Sequence, residues 1–359
     1  MKPDSIHQLV AGFARGDAIS HEALAIRAVC RELGFDSDIF APPERTAPDA
    51  AGECRPLGDY RQTPTGIVIN HYSITSPATE TYLSSPARKV LIYHNITPPE
   101  FFTPYDTSLA LQLTQARQGL RDTAARADAV WADSAFNAAE VQALGIPNVK
   151  VFPLLFEPGA LDIPPDPAVL AKFAQPMKNI LFVGRIAPNK CLEELITAFA
   201  WFHKNIEPQS RLLIVGSDRS APAYYAMLKM YAAELELNTV FFERFASPAG
   251  LTAYYRVADC FATTSRHEGY CLPLVEAMYK GVPVIARRTG GTPEAMGDGG
   301  ILVDDFRPEE LAELFGRVCQ DAAFRQTVMA SQQERLAVLL KRTVTDEFRG
   351  LLAAVYATS

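Results

Sequence analysis

Short runs of apolar, often β-branched residues alternate with helical patterns along the chain, and this alternation limits the possible folds more than any other feature of the sequence. The runs are residues 66–71, 90–94, 129–134 and 148–154 in the first half and 180–184, 212–216, 240–243, 261–265 and 283–286 in the second. Strands that alternate with helices form parallel sheets covered by helices. The sequence therefore predicts an α/β protein.

A proline-rich stretch, residues 157–175, separates the two series of strands. Proline lacks the backbone N–H that strands and helix interiors need, so such a stretch favours a boundary. The 359 residues are enough for two domains of roughly 150 to 180 residues, each with its own core. We predict one domain over residues 1–160 and a second over residues 176–341.

Charge and cysteine content argue against several functions. The chain has 34 Lys and Arg against 41 Asp and Glu, a net charge of −7, so a protein that coats nucleic acid is not expected. The six cysteines form no C-x-x-C pair, and no zinc site is indicated. Asp36-Ser37-Asp38 has the D-x-D pattern of a metal motif, but its context favours a polar turn. Since no run of about 18 apolar residues occurs, we expect a cytoplasmic protein without a membrane-spanning helix.

Ligands of doubly wound sheets collect at the carboxyl ends of the strands, so the residues after each strand are informative. The segment after the first strand, GFARGDAIS, lacks the G-x-G-x-x-G fingerprint, which argues against a nicotinamide dehydrogenase. Gly16 precedes a helix that starts at Ser20, where it either lets backbone amides approach a phosphate or simply forms a turn. In the second half, Arg185 and Lys190 follow strand 179–184. Two such cations suit a diphosphate, or are solvated surface charges.

Residues 261–285 carry the strongest local signal: a strand, a loop with Glu268, and a helix predicted from Pro273 to Lys280. The backbone N–H groups of residues 269–272 would form an anion site at the start of this helix. Glu268 and Glu276 would flank a ligand bound there, because carboxylates accept hydrogen bonds from sugar hydroxyls. Alternatively, Glu268 caps the helix and Glu276 is an exposed surface residue. A nucleotide sugar needs both the anion site and the carboxylates.

At these positions the chain resembles the GT-B glycosyltransferases of family 4, which are retaining enzymes that use nucleotide sugars. Residues 268–278 (EGYCLPLVEAM) match the family pattern E-G-F-G-L-P-x-x-E-A-M, and residues 184–190 match G-R-x-x-x-x-K. Residues 132–141 and 290–312 extend the resemblance. The segment YHNITPPEFF at 93–102, GDAIS at 16–20, and Cys271 in place of the usual glycine are similar to a subgroup that builds bacterial surface polysaccharides, many of whose members transfer mannose or rhamnose.

The resemblance implies two Rossmann-like doubly wound domains facing a central cleft: an acceptor domain over 1–160, joined by a C-terminal helix at 342–359, and a donor domain over 176–341. Arg185 and Lys190 would hold the donor diphosphate, Glu276 the ribose, and Glu268 and His94, as the catalytic pair, the reacting sugar. The other implied donor-binding residues are Gly16 at the phosphate, Gly216 and Arg244 at the base, and the backbone of Gly269, Tyr270, Cys271 and Leu272.

The implied activity is the transfer of a hexose, of the mannose or rhamnose type as from GDP-mannose, to a glycan or polyprenyl-linked acceptor in lipopolysaccharide or other surface-polysaccharide biosynthesis. Retention is ascribed to front-face attack, with neither metal nor cofactor beyond the nucleotide-sugar co-substrate. We expect at most weak peripheral association with the inner face of the membrane. Two alternatives stay open: a GT-B-like sugar-nucleotide epimerase, and a nucleotide-sugar binding protein without catalytic activity.

Overall fold

The computed structural model describes residues 4–50, 52–61, 63–244 and 247–357. In chain order the strands are β1 (Ile6–Val10), β2 (Ile39–Ala41), β3 (Arg55–Pro56), β4 (Ile67–Tyr72), β5 (Arg88–Tyr93), β6 (Ala129–Ala132), β7 (Lys150–Val151), β8 (Lys178–Val183), β9 (Ser210–Val215), β10 (Val240–Glu243), β11 (Cys260–Thr263), β12 (Val284–Arg287) and β13 (Ile301–Val303). The α-helices are α1 (Ala18–Glu32), α2 (Pro77–Ser84), α3 (Thr107–Ala125), α4 (Ala135–Ala143), α5 (Pro167–Lys172), α6 (Leu192–Asn205), α7 (Pro222–Glu234), α8 (Pro248–Val257), α9 (Leu272–Tyr279), α10 (Thr292–Met296), α11 (Pro308–Gln320), α12 (Ala322–Leu339) and α13 (Val344–Ala357).

The chain divides into two compact units. The first unit contains residues 1–99, 108–155 and 342–359, and the second contains residues 100–107 and 156–341. These limits differ from the predicted ones because residues 100–107 and 156–160 pack in the second unit. The Tyr105 ring lies 5.1 Å from that of Tyr224, and the Phe156 ring lies 5.3 Å from that of Tyr279.

The sheet of the first unit has the order β3-β2-β1-β4-β5-β6-β7 with every pair parallel. The chain starts in the middle of this sheet, adds strands on one side, and then returns to add strands on the other side of β1. Helix α13 covers one face, and its Phe348 packs against Trp131 and Phe152 in a fully buried cluster. The burial of these rings stabilises the joint between the C-terminal helix and the sheet.

The sheet of the second unit has the order β10-β9-β8-β11-β12-β13, again with every pair parallel. Its strands β8 and β11 are adjacent although β9 and β10 lie between them in sequence, so the direction of winding reverses there. Ligands of such sheets bind at this switch point, at the edge where the strands end. We call this edge the carboxyl edge of the second sheet.

The predicted fold class, two Rossmann-like α/β domains, is confirmed. The predicted strand 148–154 is much shorter, since only Lys150 and Val151 pair. Strands β2, β3 and β13 were not predicted, because each has three residues or fewer and β3 is fully exposed. None of the helices in the described part of the chain is both long and apolar enough to cross a membrane.

Candidate active site

The ends of β8 and β9 approach each other so closely that only glycine fits between them. Gly184 and Gly216 follow these strands, and a Cβ atom on Gly216 would lie 1.9 Å from the Gly184 carbonyl oxygen. The Arg185 side chain, next to Gly184, is exposed at the carboxyl edge. The two glycines thus leave backbone atoms, not side chains, at the predicted position of the donor's nucleotide base. The assignment of Gly216 to that base stays a prediction.

Glu268 and Lys190 form a buried ion pair at the carboxyl edge. Lys190 Nζ lies 2.6 Å from Glu268 Oε1 and 2.7 Å from Oε2. The two side chains are only 13% and 7% exposed. Burial by itself raises the pKa of Glu268, but the Lys190 ammonium and hydrogen bonds from Ser265 and Cys271 bring the pKa below its ordinary value. Glu268 is therefore an ionised carboxylate beside a cation. A ligand that binds the Lys190 ammonium would leave this carboxylate available for a new hydrogen bond.

The loop that carries Glu268 is held by a second loop, after β12. The Gly291 N–H donates to the Glu268 carbonyl oxygen (3.0 Å). A Cβ atom on Gly290 would lie 2.0 Å from the Glu268 carbonyl oxygen, and one on Gly291 would lie 2.0 Å from the Gly269 carbonyl oxygen. Only two consecutive glycines allow this backbone-to-backbone contact. The sequence analysis noted this glycine pair only as part of a resemblance and assigned it no role.

Helix α9 starts at Leu272, one residue before the predicted start, and ends at Tyr279. Its N-cap residue, Cys271, has φ 74° and ψ 67°, the left-handed conformation that glycine adopts most easily. The Cys271 side chain makes no capping hydrogen bond to the first turn. Tyr270 is 4% exposed, so its side chain is buried, and the anion site at the backbone of residues 269–272 stays a prediction.

Glu276 lies half-buried inside α9 and accepts a hydrogen bond from Tyr255 Oη at 2.7 Å. Burial and the Glu276 carboxylate raise the pKa of Tyr255, which is 1% exposed. Tyr255 therefore stays a neutral hydroxyl that fixes one carboxylate oxygen of Glu276. The alternative of an unconstrained surface glutamate does not describe this residue.

Arg244, after β10, makes a two-point ion pair with Asp218, after β9. Arg244 Nε lies 2.9 Å from Asp218 Oδ1, and a terminal nitrogen lies 2.8 Å from Oδ2. The guanidinium also lies over the Tyr225 ring, 5.4 Å from its centroid. Asp218, which is 2% exposed, was missed by the sequence analysis, although it follows a strand end directly. The pair fixes the plane of the Arg244 guanidinium, and the assignment of Arg244 to the base stays a prediction.

In the first unit, Gly16 has φ 77° and open space around it. The following residue, Asp17, caps helix α1 by accepting a hydrogen bond from the Ser20 N–H at 3.0 Å. The Asp17 carboxylate therefore already accepts a hydrogen bond from one backbone N–H group at this helix start, where the predicted phosphate would bind. Contact between a phosphate and the Gly16 backbone stays a prediction, with Asp17 as its competitor.

His94 and His71 form a closed hydrogen-bond chain in the first unit. The Gln8 amide nitrogen donates to the Ala23 carbonyl (2.9 Å), so its oxygen accepts from His71 Nε2 (2.9 Å). His71 Nδ1 consequently lacks a proton and accepts from His94 Nε2, 2.7 Å away. His94 Nδ1 lies 3.0 Å from Asp133 Oδ2. The chain leaves His94 as the donor at both ring nitrogens.

Two buried acidic side chains lie beside the same ring nitrogen of His94. Glu22 Oε2 lies 3.4 Å from His94 Nδ1, the atom that Asp133 Oδ2 also approaches. Burial lowers the pKa of His94, but Asp133 and Glu22 together raise it to about 9. Burial raises the pKa of Glu22 and lowers that of His71 well below its ordinary value. His94 is thus an imidazolium at neutral pH, next to a neutral His71.

The His94 ring is enclosed by protein groups. Its side chain is 1% exposed, and both ring nitrogens already bind protein groups. This is the environment of a hydrogen-bonded histidine at a strand end, and the assignment of His94 to the reacting sugar stays a prediction. The sequence analysis left His71 unassigned, because residues 23 positions apart give no sign of contact.

Among the described residues, Glu22, His71 and His94 have donor atoms within 4.8 Å of one another, a spacing that a metal ion could use. A cation there would have to replace the hydrogen bonds just described, since all four ring nitrogens are engaged. At the D-x-D sequence, Asp38 forms ion pairs with Arg31 (2.9 Å) and Arg55 (3.0 Å). The expectation that no metal takes part stays a prediction.

Two doubly wound parallel sheets in one chain define the GT-B class of fold, and solved structures of that class superpose on almost the whole chain. Sucrose-phosphate synthase from Thermosynechococcus elongatus matches with a TM-score of 0.77 and 18% identity, over 99% of this chain and 100% of that one. The Anabaena protein HepE in complex with UDP-glucose matches with a TM-score of 0.71 and 20% identity, over 98% and 99%. Similarities at this level of identity establish the fold alone.

The second unit carries a more specific match. Residues 171–335 fit the family model described as glycosyl transferases group 1, so this part of the chain is a glycosyltransferase group 1 domain. The curated D-inositol 3-phosphate glycosyltransferase of Corynebacterium glutamicum is 34% identical over 148 residues, covering 40% of this chain and 35% of that protein. The one of Saccharomonospora viridis is 32% identical over 213 residues, covering 56% and 47%. The chain thus spans less than half the length of these relatives.

Proposed function

We propose that the protein is a glycosyltransferase that uses a nucleotide-diphosphate sugar. The observation that carries this proposal is the buried pair of Lys190 and Glu268 beside the start of α9, inside a glycosyltransferase group 1 domain. One cation, one ionised carboxylate and a helix N-terminus are together the groups that a diphosphate and a sugar hydroxyl need. The printed name of HepE in complex with UDP-glucose supports the donor class.

The same geometry supports an order of events in donor binding. A diphosphate that approaches Lys190 competes with Glu268 for the ammonium, and Arg185 adds a second charge. Once the ammonium binds phosphate, the Glu268 carboxylate accepts a hydrogen bond from a sugar hydroxyl instead. Glu276, fixed by Tyr255, accepts hydrogen bonds from the ribose, and Arg244 borders the base.

The chemical step breaks the bond between the anomeric carbon and the diphosphate oxygen. Lys190, Arg185 and the amides at the start of α9 stabilise the negative charge that grows on the leaving group. We propose a retaining reaction in which the departing phosphate accepts the proton of the attacking acceptor hydroxyl on the same face. His94 acts as a positioning residue, since its buried imidazolium holds the turn at Asn95, whose φ is 72°.

For the substrates we propose a hexose of the mannose or rhamnose type, with GDP-mannose as the first donor to test, and a glycan or polyprenyl-linked acceptor of surface-polysaccharide biosynthesis. The support is the resemblance of residues 93–102 and 16–20 to that subgroup. The curated relatives are named for inositol 3-phosphate, so this acceptor belongs in the same test. Weak attachment to the inner face of a membrane, and a reaction without metal, complete the proposal.

A donor panel tests the proposal directly. The expected result is a rise in melting temperature with one nucleotide sugar, because a ligand at 100 times its Kd stabilises by about 2.7 kcal/mol. Transfer to an acceptor, with NMR showing an unchanged anomeric configuration, would support the retaining reaction. Turnover of the donor without an acceptor to an epimerised sugar nucleotide would instead identify an epimerase. Binding without transfer or hydrolysis would identify a binding protein.

A further inference from the structure

A cavity of about 400 Å³ lies within the second unit, where residues 100–107 pack against the first turn of α6. Phe101 and Tyr105 contribute aromatic rings to its wall, and Glu100, Glu193, Glu194 and Arg266 contribute charged groups. The position of the rings is fixed: the Tyr105 ring meets Tyr224 edge-on at 5.1 Å, and the Phe101 ring lies 6.5 Å from that of His267. Aromatic faces and carboxylates thus converge on one concave surface.

The chemistry of this wall suits a saccharide. The C–H faces of a sugar ring pack on aromatic rings, and its hydroxyls donate to carboxylates and accept from guanidinium groups. Here Glu193 accepts from the Tyr224 hydroxyl, and Glu194 is oriented by Arg266 Nε at 2.8 Å. Because these carboxylates are held in place, they present fixed acceptors to a ligand.

The charge of the wall excludes a phosphorylated ligand. Its charged members are three glutamates and one arginine, and that arginine is already paired with Glu194. Glu194 is paired with Arg266 and Arg287, but Glu100 and Glu193 leave the wall with a net negative charge, which repels an anion placed in the cavity. The preferred occupant is therefore neutral or cationic.

The cavity borders the loops that carry Lys190 and Glu268. Cys191, in its wall, directly follows Lys190, and Arg266 precedes Glu268 by two residues. The Arg266 N–H donates to the Asn189 carbonyl (2.9 Å), which ties these two loops together. A ligand in the cavity thus lies against the backbone that positions Lys190 and Glu268.

We infer that this cavity is the binding site for an uncharged sugar residue of the acceptor. The inference rests on the proposed function, and it names the class of acceptor that the site accepts: a neutral glycan end rather than a sugar phosphate. Tyr105 is the central packing surface, and Glu100 at the exposed rim sets the preference of charge.

The first test is binding without a donor. Saturation-transfer NMR with methyl α-D-mannopyranoside is expected to show contact with the wild-type protein and with Tyr105→Phe, which keeps the ring. Tyr105→Ala is expected to lose the signal. Phe136→Ala, which removes an aromatic ring that is 38% exposed on α4, is the matched control and is expected to keep it. Equal signals for Tyr105→Ala and the wild type would overturn the inference, whether or not a donor is ever found.

The second test is charge reversal in the transfer reaction. With the donor identified by the panel, Tyr105→Ala is expected to raise the KM for the neutral acceptor about tenfold, a loss of about 1.4 kcal/mol, without changing the donor KM. Glu100→Lys is expected to lower the KM for D-myo-inositol 3-phosphate relative to that for the mannoside. If wild-type protein uses the phosphorylated acceptor as well as the neutral one, the inference fails while the proposed function stands.

Discussion

Two glutamates at the carboxyl edge of the second sheet have different surroundings, and we propose different tasks for them. Glu268 and Glu276 are both glutamates near the start of α9. The first is buried against an ammonium, and the second is half-buried against a neutral phenol. Their environments therefore predict different kinetic effects.

Replacing each glutamate by glutamine separates these tasks. Glu268→Gln is expected to lower kcat by roughly 100-fold or more with little change in donor KM, because its contact with the sugar strengthens as positive charge develops at the reacting carbon. Glu276→Gln is expected mainly to raise the donor KM, because a ribose contact is equally strong before and during the reaction. Steady-state kinetics with donor and acceptor measure both. Near-normal kcat for Glu268→Gln would remove it from the chemistry.

Arg185→Ala tests the phosphate contact without disturbing the core, since this side chain is exposed. Loss of one charge-assisted contact costs about 1.5 to 3 kcal/mol, so kcat/KM is expected to fall roughly 10- to 200-fold. The melting temperature is expected to stay that of the wild type. The same substitution at Lys190 is a poorer test, because it leaves Glu268 as an unpaired buried charge. An unchanged kcat/KM would show that Arg185 does not contact the donor.

At the scale of elements, loops hold each other in place through backbone contacts that leave no room for side chains. Gly291→Ala would put a Cβ atom 2.0 Å from the Gly269 carbonyl oxygen. The expected cost is about 1 to 3 kcal/mol of unfolding free energy, with loss of transfer activity as the Glu268 loop shifts. Gly350→Ala, in α13 with nothing within 4 Å of the added atom, is the control and is expected to stabilise by about 0.5 to 1 kcal/mol. Thermal and urea unfolding measure the unfolding free energy of both variants. Equal changes for the two substitutions would contradict the close contact at Gly291.

Helix α1 and the ends of β4, β5 and β6 contribute the buried cluster of Glu22, His71, His94 and Asp133, which predicts how stability depends on pH. The folded pKa values of Glu22 and His94 are raised, so the folded state holds more protons than the unfolded one above pH 4.5 at Glu22 and above pH 6.5 at His94. Stability from these groups is therefore complete at low pH and is lost as pH rises toward 9. The lowered pKa of His71 reduces the stability of the folded state only as pH falls below 6.5.

The melting temperature is accordingly expected to fall by a few degrees between pH 6.5 and pH 9. Glu22→Gln, which removes one titrating group and keeps the shape, is expected to flatten this slope. Differential scanning calorimetry across the pH range measures it. A melting temperature that rises between pH 6.5 and pH 9, or an unchanged slope in Glu22→Gln, would show that His94 is not held as an imidazolium.

At the scale of the whole molecule, the cations on the second unit are proposed to do the work of a metal. Transfer activity is therefore expected to be unchanged within about twofold in excess EDTA, since Lys190, Arg185 and helix amides neutralise the leaving group. The measurement is initial rate with and without chelator, followed by addition of Mn²⁺. Activity that disappears with EDTA and returns with Mn²⁺ would show that a bound metal ion, not these side chains, neutralises the leaving group.

The sequence predicted the architecture because buried strands of parallel sheets are continuous β-branched runs, as in Ile67–Tyr72 and Ser210–Val215. It could not predict pairings between distant residues. Lys190 and Glu268 were assigned to different parts of the donor, and their separation of 78 residues gives no sign of an ion pair. His94 was assigned to the ligand only through the family resemblance, since a histidine at a strand end can equally be one whose ring nitrogens bind protein groups. Only the positions of Gln8, His71 and Asp133 show that its ring is occupied.

The glycine pair after β12 has a consequence for changing this protein's specificity. Residues 290 and 291 lie against the backbone of residues 268 and 269 with no side chain between them, so neither loop can adopt a new shape while the other keeps its own. The two segments therefore have to keep their conformations together. A graft that imports the 266–271 loop from another enzyme should therefore bring its 288–291 loop with it, and libraries that vary one segment alone will mostly sample proteins that no longer fit together.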